Sequence, residues 1–359
     1  LEKMSELEIE SDNVCSKDFS RERRLATEHL EDSILLRKRR IERLGDNVKD
    51  ENKCATDEDV NYERITMAIT LYEIGKLCSW LVIRNDIEEH EPRRLQLLRP
   101  TSFAIRDCKI AISYFEEAKE ILQDSISISE TLAYAHEDED PFISRLHLTP
   151  SIYEEMLQTM AVLYRKLGEY DKSVECYNEV SLLLTRMALD ESVEASTKEI
   201  LHISQKEKVA YSSQCIGDIL FDTGEFSRSL ESYDESLQLL KDSGADSLVI
   251  ADTFNKKGST LLKLKRWDEA ALSFDKALRI RVDRLSKDHI DIAQSFHFIG
   301  KAYQGHEKSD QALDYYKKAQ RIFSGRLVDT DTHAADLFYD LGRIVLLQDK
   351  AAFHCTRAS

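Results

Sequence analysis

Gly217, Gly258, Gly300 and Gly342 recur at intervals of 41, 42 and 42 residues, each inside a helix-like run of apolar residues spaced three and four apart. A fixed period of this length means one two-helix unit repeated in series, because a single unit cannot bury its own apolar face. Gly75 and Ala161 take the same place in two earlier segments. Downstream of all but Gly342 lies a second small residue, Ala111, Ser173, Ser229, Ala270 or Ala312, and four residues later an aromatic, Phe115, Tyr177, Tyr233, Phe274 or Tyr316. Glycine in a helix interior costs about 1 kcal/mol relative to alanine, so glycines kept at one repeat position call for a packing reason. A small residue where two helices cross lets the backbones approach, and a ring from the partner helix fills the space beside it.

The stretch Phe254 to Ala277, with Gly258, Leu261, Ala270 and Phe274 between, matches the tetratricopeptide pattern of two helices, the first marked by Gly and the second by AxxxF. The 42-residue spacing over roughly residues 151–350, with ALRIRVDRLSKDHIDIA leading into a new first helix, resembles the repeats of kinesin light chains and related adaptors. The resemblance implies an all-α fold, a right-handed superhelical solenoid of antiparallel helix pairs. It also implies a scaffold or adaptor that binds a segment of another protein and catalyses nothing. The eight residues beyond the usual 34 are expected in longer helices.

The four prolines all lie between residues 92 and 150. Proline breaks helix interiors, so the proline-free stretch that follows suits consecutive helices. The expected organisation is an acidic, partly disordered segment over 1–60 with a charged helix at 19–44. A divergent first repeat with an inserted loop follows over 61–124, then an acidic linker over 125–153 and the repeat array over 154–359. In the 19–44 helix Leu30, Ile34, Ile41 and Leu44 share a stripe that Arg37 interrupts. The run Arg37–Arg40 reads as a solvated helix face, with a nuclear import signal as the alternative. A first helix is expected over 335–348, and the following LQDKAAFHCTRAS lacks a second helix, which reads as a truncated or alternative end. The chain starts at Leu1, so a leader segment lost before it is compatible with the sequence.

Composition narrows the function classes. The chain has a net charge of −17 and no segment that is basic overall, which argues against nucleic acid and anionic lipid as partners. No apolar run approaches the ~20 residues of a membrane span. The seven cysteines form no CxxC pair and read as reduced thiols of an intracellular, most simply cytoplasmic, protein. No GxGxxG, P-loop, HExxH or GxSxG string occurs, so no cofactor and no catalytic residues are expected. Asp288, His289, Asp291 and His297 are better read as junction polarity than as metal ligands, and Trp80 and Trp267 as packing residues.

First helices of such an array line its concave face, and slots spaced three and four apart on them point into the groove. These slots hold Tyr72, Lys76, Gln158, Arg165, Lys166, Gln214, Asn255, Lys263, His297, Lys301, Tyr339 and Arg343, with Asp218, Ser259 and Gln304 among them. Cations outnumber acids here although the chain is acidic, and amides flank them. Such a surface suits an extended peptide bearing carboxylates: amides can bond its backbone and cations its side chains. A regulatory or co-chaperone-like module gripping an acidic or carboxylate-ended tail is the alternative reading. Ordinary balancing of neighbouring acids by these cations competes with both.

Overall fold

The computed structural model describes residues 16–48, 57–88, 102–132, 141–188, 195–325 and 334–346, and among these all regular structure is helical. The chain divides at Glu169/Tyr170 into two compact units. Unit 1 contains α1 (Ser16–Val48), α2 (Asp57–Glu88), α3 (Ser102–Leu132) and α4 (Pro141–Leu167). Unit 2 contains α5 (Tyr170–Ala188), α6 (Ala195–Asp222), α7 (Phe226–Ser243), α8 (Ser247–Lys263), α9 (Trp267–Arg284), α10 (Ile290–Gly305), α11 (Ser309–Gly325) and α12 (334–346).

Helix extents differ most from the sequence reading between residues 125 and 153. Residues 125–153 were expected as a linker, yet α3 continues through Leu132 and α4 starts at Pro141. Only 133–140 are left for a linker, and they lie outside the described residues. Pro141 opens α4, where a missing N–H costs nothing, whereas Pro150 sits inside it and removes one backbone hydrogen bond. In unit 2 the helices from α7 to α11 run 16 to 18 residues, so the extra residues of each repeat do lie in helix.

The contact that the repeat pattern implies is present in both units. A β-carbon on Gly217 would stand 2.7 Å from the Tyr233 ring, and one on Gly258 would stand 2.6 Å from the Phe274 ring. Gly75 meets Phe115, and Gly300 meets Tyr316, in the same way. Each ring comes from the following helix and is almost fully buried, as are the small residues Ala111, Ser229, Ala270 and Ala312. No side chain larger than hydrogen fits between these helix axes without displacing the ring, which explains why glycine is kept despite its helix cost. Where the ring is tyrosine, its hydroxyl finds a partner on the first helix: Tyr233 donates to Asp218 at 2.6 Å and Tyr316 to Gln304 at 2.9 Å. Ser229 donates to the Gly217 carbonyl at 2.8 Å, so a hydroxyl at the small slot is satisfied as well. Ala161 in α4 and Ser173 and Tyr177 in α5 are also buried. Gly342 departs from the series, since among the described residues nothing lies within 4 Å of its added β-carbon.

The turns from first to second helix repeat one geometry. After α6, Gly224 (φ 86°) and Glu225 donate to Phe221 and Leu220; after α8, Lys265 (φ 59°) and Arg266 donate to Leu262 and Leu261. After α10, Glu307 (φ 61°) and Lys308 repeat the pair of bonds, to Gln304 and Tyr303. The left-handed residue reverses the chain while satisfying terminal carbonyls. Glycine takes this conformation freely, and at 265 and 307 a side chain is held in it.

Packing continues between repeats. Trp267, at the start of α9, covers Gly305 of α10, which places this tryptophan at a repeat junction. The side chain of Trp80 lies outside the described residues. Phe274 stacks on Phe298 at 5.2 Å, joining the ring of one hairpin to the first helix of the next. In unit 1, Ile34 of α1 is buried, and Arg37, which breaks the apolar stripe, donates to the buried Glu63 of α2 at 2.8 Å. Arg40 reaches the same carboxylate at 3.2 Å. The basic run is therefore partly consumed in joining α1 to α2.

Candidate functional site

The first helices carry the residues expected to line a groove, and the structure sorts them into three groups. The first group is buried. Tyr72 is 2% exposed, with its ring centroid 6.1 Å from that of Phe115. Burial, and then the adjacent Glu155 carboxylate, push its phenol far above the usual tyrosine range. Asn255 is buried beside Arg281, and with its amide oxygen facing the guanidinium it accepts from both terminal nitrogens, at 2.7 and 2.8 Å. His297 is buried, its Nε2 2.9 Å from Asp340 of α12. These three were expected on an open groove and instead hold helices together. Their slot faces a neighbouring helix: α3 for Tyr72, α9 for Asn255 and α12 for His297.

The second group consists of cations held by acids. Lys76 bonds Glu155 at 3.0 Å and lies over the Tyr72 ring, all within unit 1. Burial alone would raise the Glu155 carboxyl, but the neighbouring Tyr72 hydroxyl and the Lys76 ammonium outweigh it and hold the group below its ordinary range. In unit 2, Lys301 and Arg343 stand 3.6 and 3.8 Å from Asp340, which also meets His297. Burial pushes the Asp340 carboxyl up, but the His297 hydrogen bond and the Lys301 and Arg343 charges dominate and keep it low. Three basic side chains thus surround one carboxylate. Asp218 of α6 accepts from Lys256 at 2.6 Å as well as from Tyr233.

The third group faces solvent or is half-buried at the surface. Gln214 and Ser259 are half-buried, and Lys263 is exposed with its Nζ 6.0 Å from the Phe221 ring centroid. Tyr339 is 70% exposed. In unit 1, Gln158 donates to Glu154 at 3.1 Å, Arg165 is exposed and Lys166 is half-buried, and both cations have interactions of their own.

Sequence reasoning passed over one heavily bonded residue. Arg281 of α9 is buried, donating to Asp252 of α8 at 2.6 Å and to Ser295 and the Asp291 carbonyl of α10, each at 2.9 Å. It ties three helices of unit 2 together. Its signal was an arginine on the buried stripe Ala270, Phe274, Ala277, Arg281. Of the residues weighed as metal ligands, His289 caps α10, its Nδ1 accepting from the Asp291 amide at 3.2 Å, and His297 is engaged with Asp340. Among the described residues no group of His, Cys, Asp and Glu is placed to hold a metal, and no helix is long and apolar enough to cross a membrane. Cys78, Cys108, Cys176 and Cys215 carry free thiols, and burial raises that of Cys215.

Family models match the chain from residue 154 onward, and solved structures match it more widely. Two models, both described as tetratricopeptide repeat, match the chain, one over 154–183 and the other over 209–283 and 249–324. No curated protein matches significantly. Among solved structures, BtubC (BKLC) from P. vanneervenii is similar at 17% identity, TM-score 0.45, covering 82% of this chain and 91% of that one. A Podosopora anserina putative kinesin light chain with nearly identical TPR-like repeats matches at 15% identity and TM-score 0.39, covering 66% and 97%. The apo form of RapI matches at 16% and 0.43, covering 77% and 83%. Residues 154–183 and 209–324 are tetratricopeptide repeats.

Proposed function

We propose that the chain is a non-catalytic scaffold or adaptor whose first helices in unit 2 hold an extended segment of a partner protein. Repeats of this kind generally serve as protein-interaction surfaces, because stacked units create a long face to which each contributes a few side chains. The observation that carries the finer reading is the surrounding of Asp340 by His297, Lys301 and Arg343, beside the exposed Tyr339. A surface where basic groups outnumber the acid between them favours a peptide carboxylate, and Lys263 on α8 supplies a further exposed cation. With Tyr72, Asn255 and His297 buried, the proposed contact residues narrow to Gln214, Ser259, Lys263, Lys301, Tyr339 and Arg343.

The alternative, a regulatory or co-chaperone-like module gripping a carboxylate-ended tail, uses the same cations but requires a free terminal carboxylate. Fluorescence binding of acidic peptides, amidated or free at the C-terminus, to wild type and to a Lys263→Glu, Lys301→Glu, Arg343→Glu variant tests both. The scaffold reading expects both peptides to bind wild type and binding to fall at least tenfold in the variant. Loss of the amidated peptide alone would favour the tail reading, and unchanged binding by the variant would overturn both.

A further inference from the structure

The interior of the α6–α7 hairpin is built differently from those of the two hairpins that follow it. Four residues before the repeat glycine, α8 and α10 have Phe254 and Phe296, and nineteen after it, α9 and α11 have Ala277 and Ala319. Phe254 shares an apolar cluster with Ala277, and Phe296 packs against the cluster that contains Ala319. In α6–α7 the same two places hold Ser213 and Ser236, and the small slot taken by Ala270 and Ala312 holds Ser229. All three serines are buried. Ser213 and Ser229 donate to backbone carbonyls, those of Val209 and Gly217, but the Ser236 hydroxyl has no hydrogen-bond partner among the described residues. Gln205 of α6 is buried as well, and among those residues neither its amide oxygen nor its amide nitrogen is bonded. One hairpin therefore lacks an interior ring and buries polar groups without partners, and both weaken it.

We infer that α6–α7 is a conformational device: it opens as a unit while α8–α9 and α10–α11 stay folded, and a clasp on Asp218 holds it closed. Cooperative units of different stability coexist within one fold, and those with few buried apolar contacts open first. In a repeat array each unit is stabilised by itself and by its neighbours alone, so a weak interior releases its own hairpin. Position in the chain is not the cause, because within unit 2 α5 packs before this hairpin and α8 after it. The clasp is a single carboxylate. Asp218 of α6 accepts from Tyr233 of α7 and from Lys256 of α8, each at 2.6 Å, which closes the hairpin and fastens it to the next one. Opening takes Gln214 away from Ser259 and Lys263 and so regulates the contact surface; this consequence rests on the function proposed above, whereas the opening itself does not.

Hydrogen exchange of the full chain at neutral pH, read by mass spectrometry, tests the opening without any ligand. Amides of α6–α7 are expected to exchange about tenfold faster than those of α8–α9, or more. Ser236→Ala and Gln205→Leu each remove unpartnered polar atoms and are expected to slow α6–α7 about fivefold or more, with α10–α11 as in wild type. Ala277→Ser puts a hydroxyl at the matching place in α9 and is expected to speed α8–α9 instead. Asp218→Asn weakens both bonds of the clasp and should speed α6–α7 further, while circular dichroism shows that each variant keeps its helix content. Equal protection of α6–α7 and α8–α9 in wild type overturns the inference. So does exchange in α6–α7 that Ser236→Ala and Gln205→Leu both leave unchanged. An Asp218→Asn effect spread evenly over the three hairpins also overturns it, because the opening would then be global.

Discussion

Helices α10 and α12 carry the repeat glycine in different settings. On α10 its face is covered, with Tyr316 of α11 against Gly300, while on α12 none of the described residues reaches Gly342. The difference teaches that the glycine of this repeat is a packing residue and not a helix signal: its worth depends on the ring that reaches it. Unit 1 extends the lesson. Gly75 and Phe115 are 40 residues apart, against 16 for Gly300 and Tyr316, yet they meet in the same way. The loop between helices is free to lengthen because the contact, not the connection, defines the hairpin.

The largest effect should come from emptying a filled socket. Phe274→Ala removes a fully buried ring that touches Gly258 and stacks on Phe298, and is expected to cost about 3–5 kcal/mol in urea unfolding of unit 2. Phe338→Ala, at an exposed position of α12, should cost less than about 1 kcal/mol by the same measurement. Next comes the clasp between covered hairpins. Arg281→Met leaves the buried Asn255 without its partner and should cost about 1–3 kcal/mol, with amide exchange rising in both α8 and α10. An effect confined to α9 would show that Arg281 does not join the repeats.

Besides the apolar contacts of Leu337 and Ile344, α12 is joined to α10 through Asp340, and that part of the link depends on pH. In the folded chain Asp340 titrates below the ordinary carboxylate range. Its contribution is complete above the unfolded value near 4 and is lost as pH falls through the depressed folded value. Asp340→Asn is expected to cost about 1–2 kcal/mol at pH 7, and the gap to wild type should close on acidification below about pH 4. A gap that persists at low pH would mean the pairing with His297 matters by shape alone. The smallest effect is at the turns: Lys265→Gly relieves a left-handed side chain and should stabilise by about 1 kcal/mol.

The paired helices were legible because the small and aromatic slots recur at fixed spacing. The surface was less legible. A 3.6-residue pattern shows the stripe toward the hairpin partner, but a first helix in an array also packs against adjoining repeats. Asn255 and His297, polar and off that stripe, therefore read as exposed although Arg281 and Asp340 bury them. Nor does spacing reveal that Arg281 and Asp252, 29 residues apart, are partners. The cations Lys301 and Arg343 were visible as charges, while the single carboxylate they share lies on the buried side of α12.

The measurement that tests the central claim most directly is urea unfolding of Gly300→Ala and Gly342→Ala side by side. A methyl on Gly300 must displace the Tyr316 ring, whereas one on Gly342 meets none of the described residues and raises helix propensity. The expected result is a loss of about 1–3 kcal/mol for Gly300→Ala and no loss, or a gain of up to about 1 kcal/mol, for Gly342→Ala. Equal changes of the same sign would contradict it.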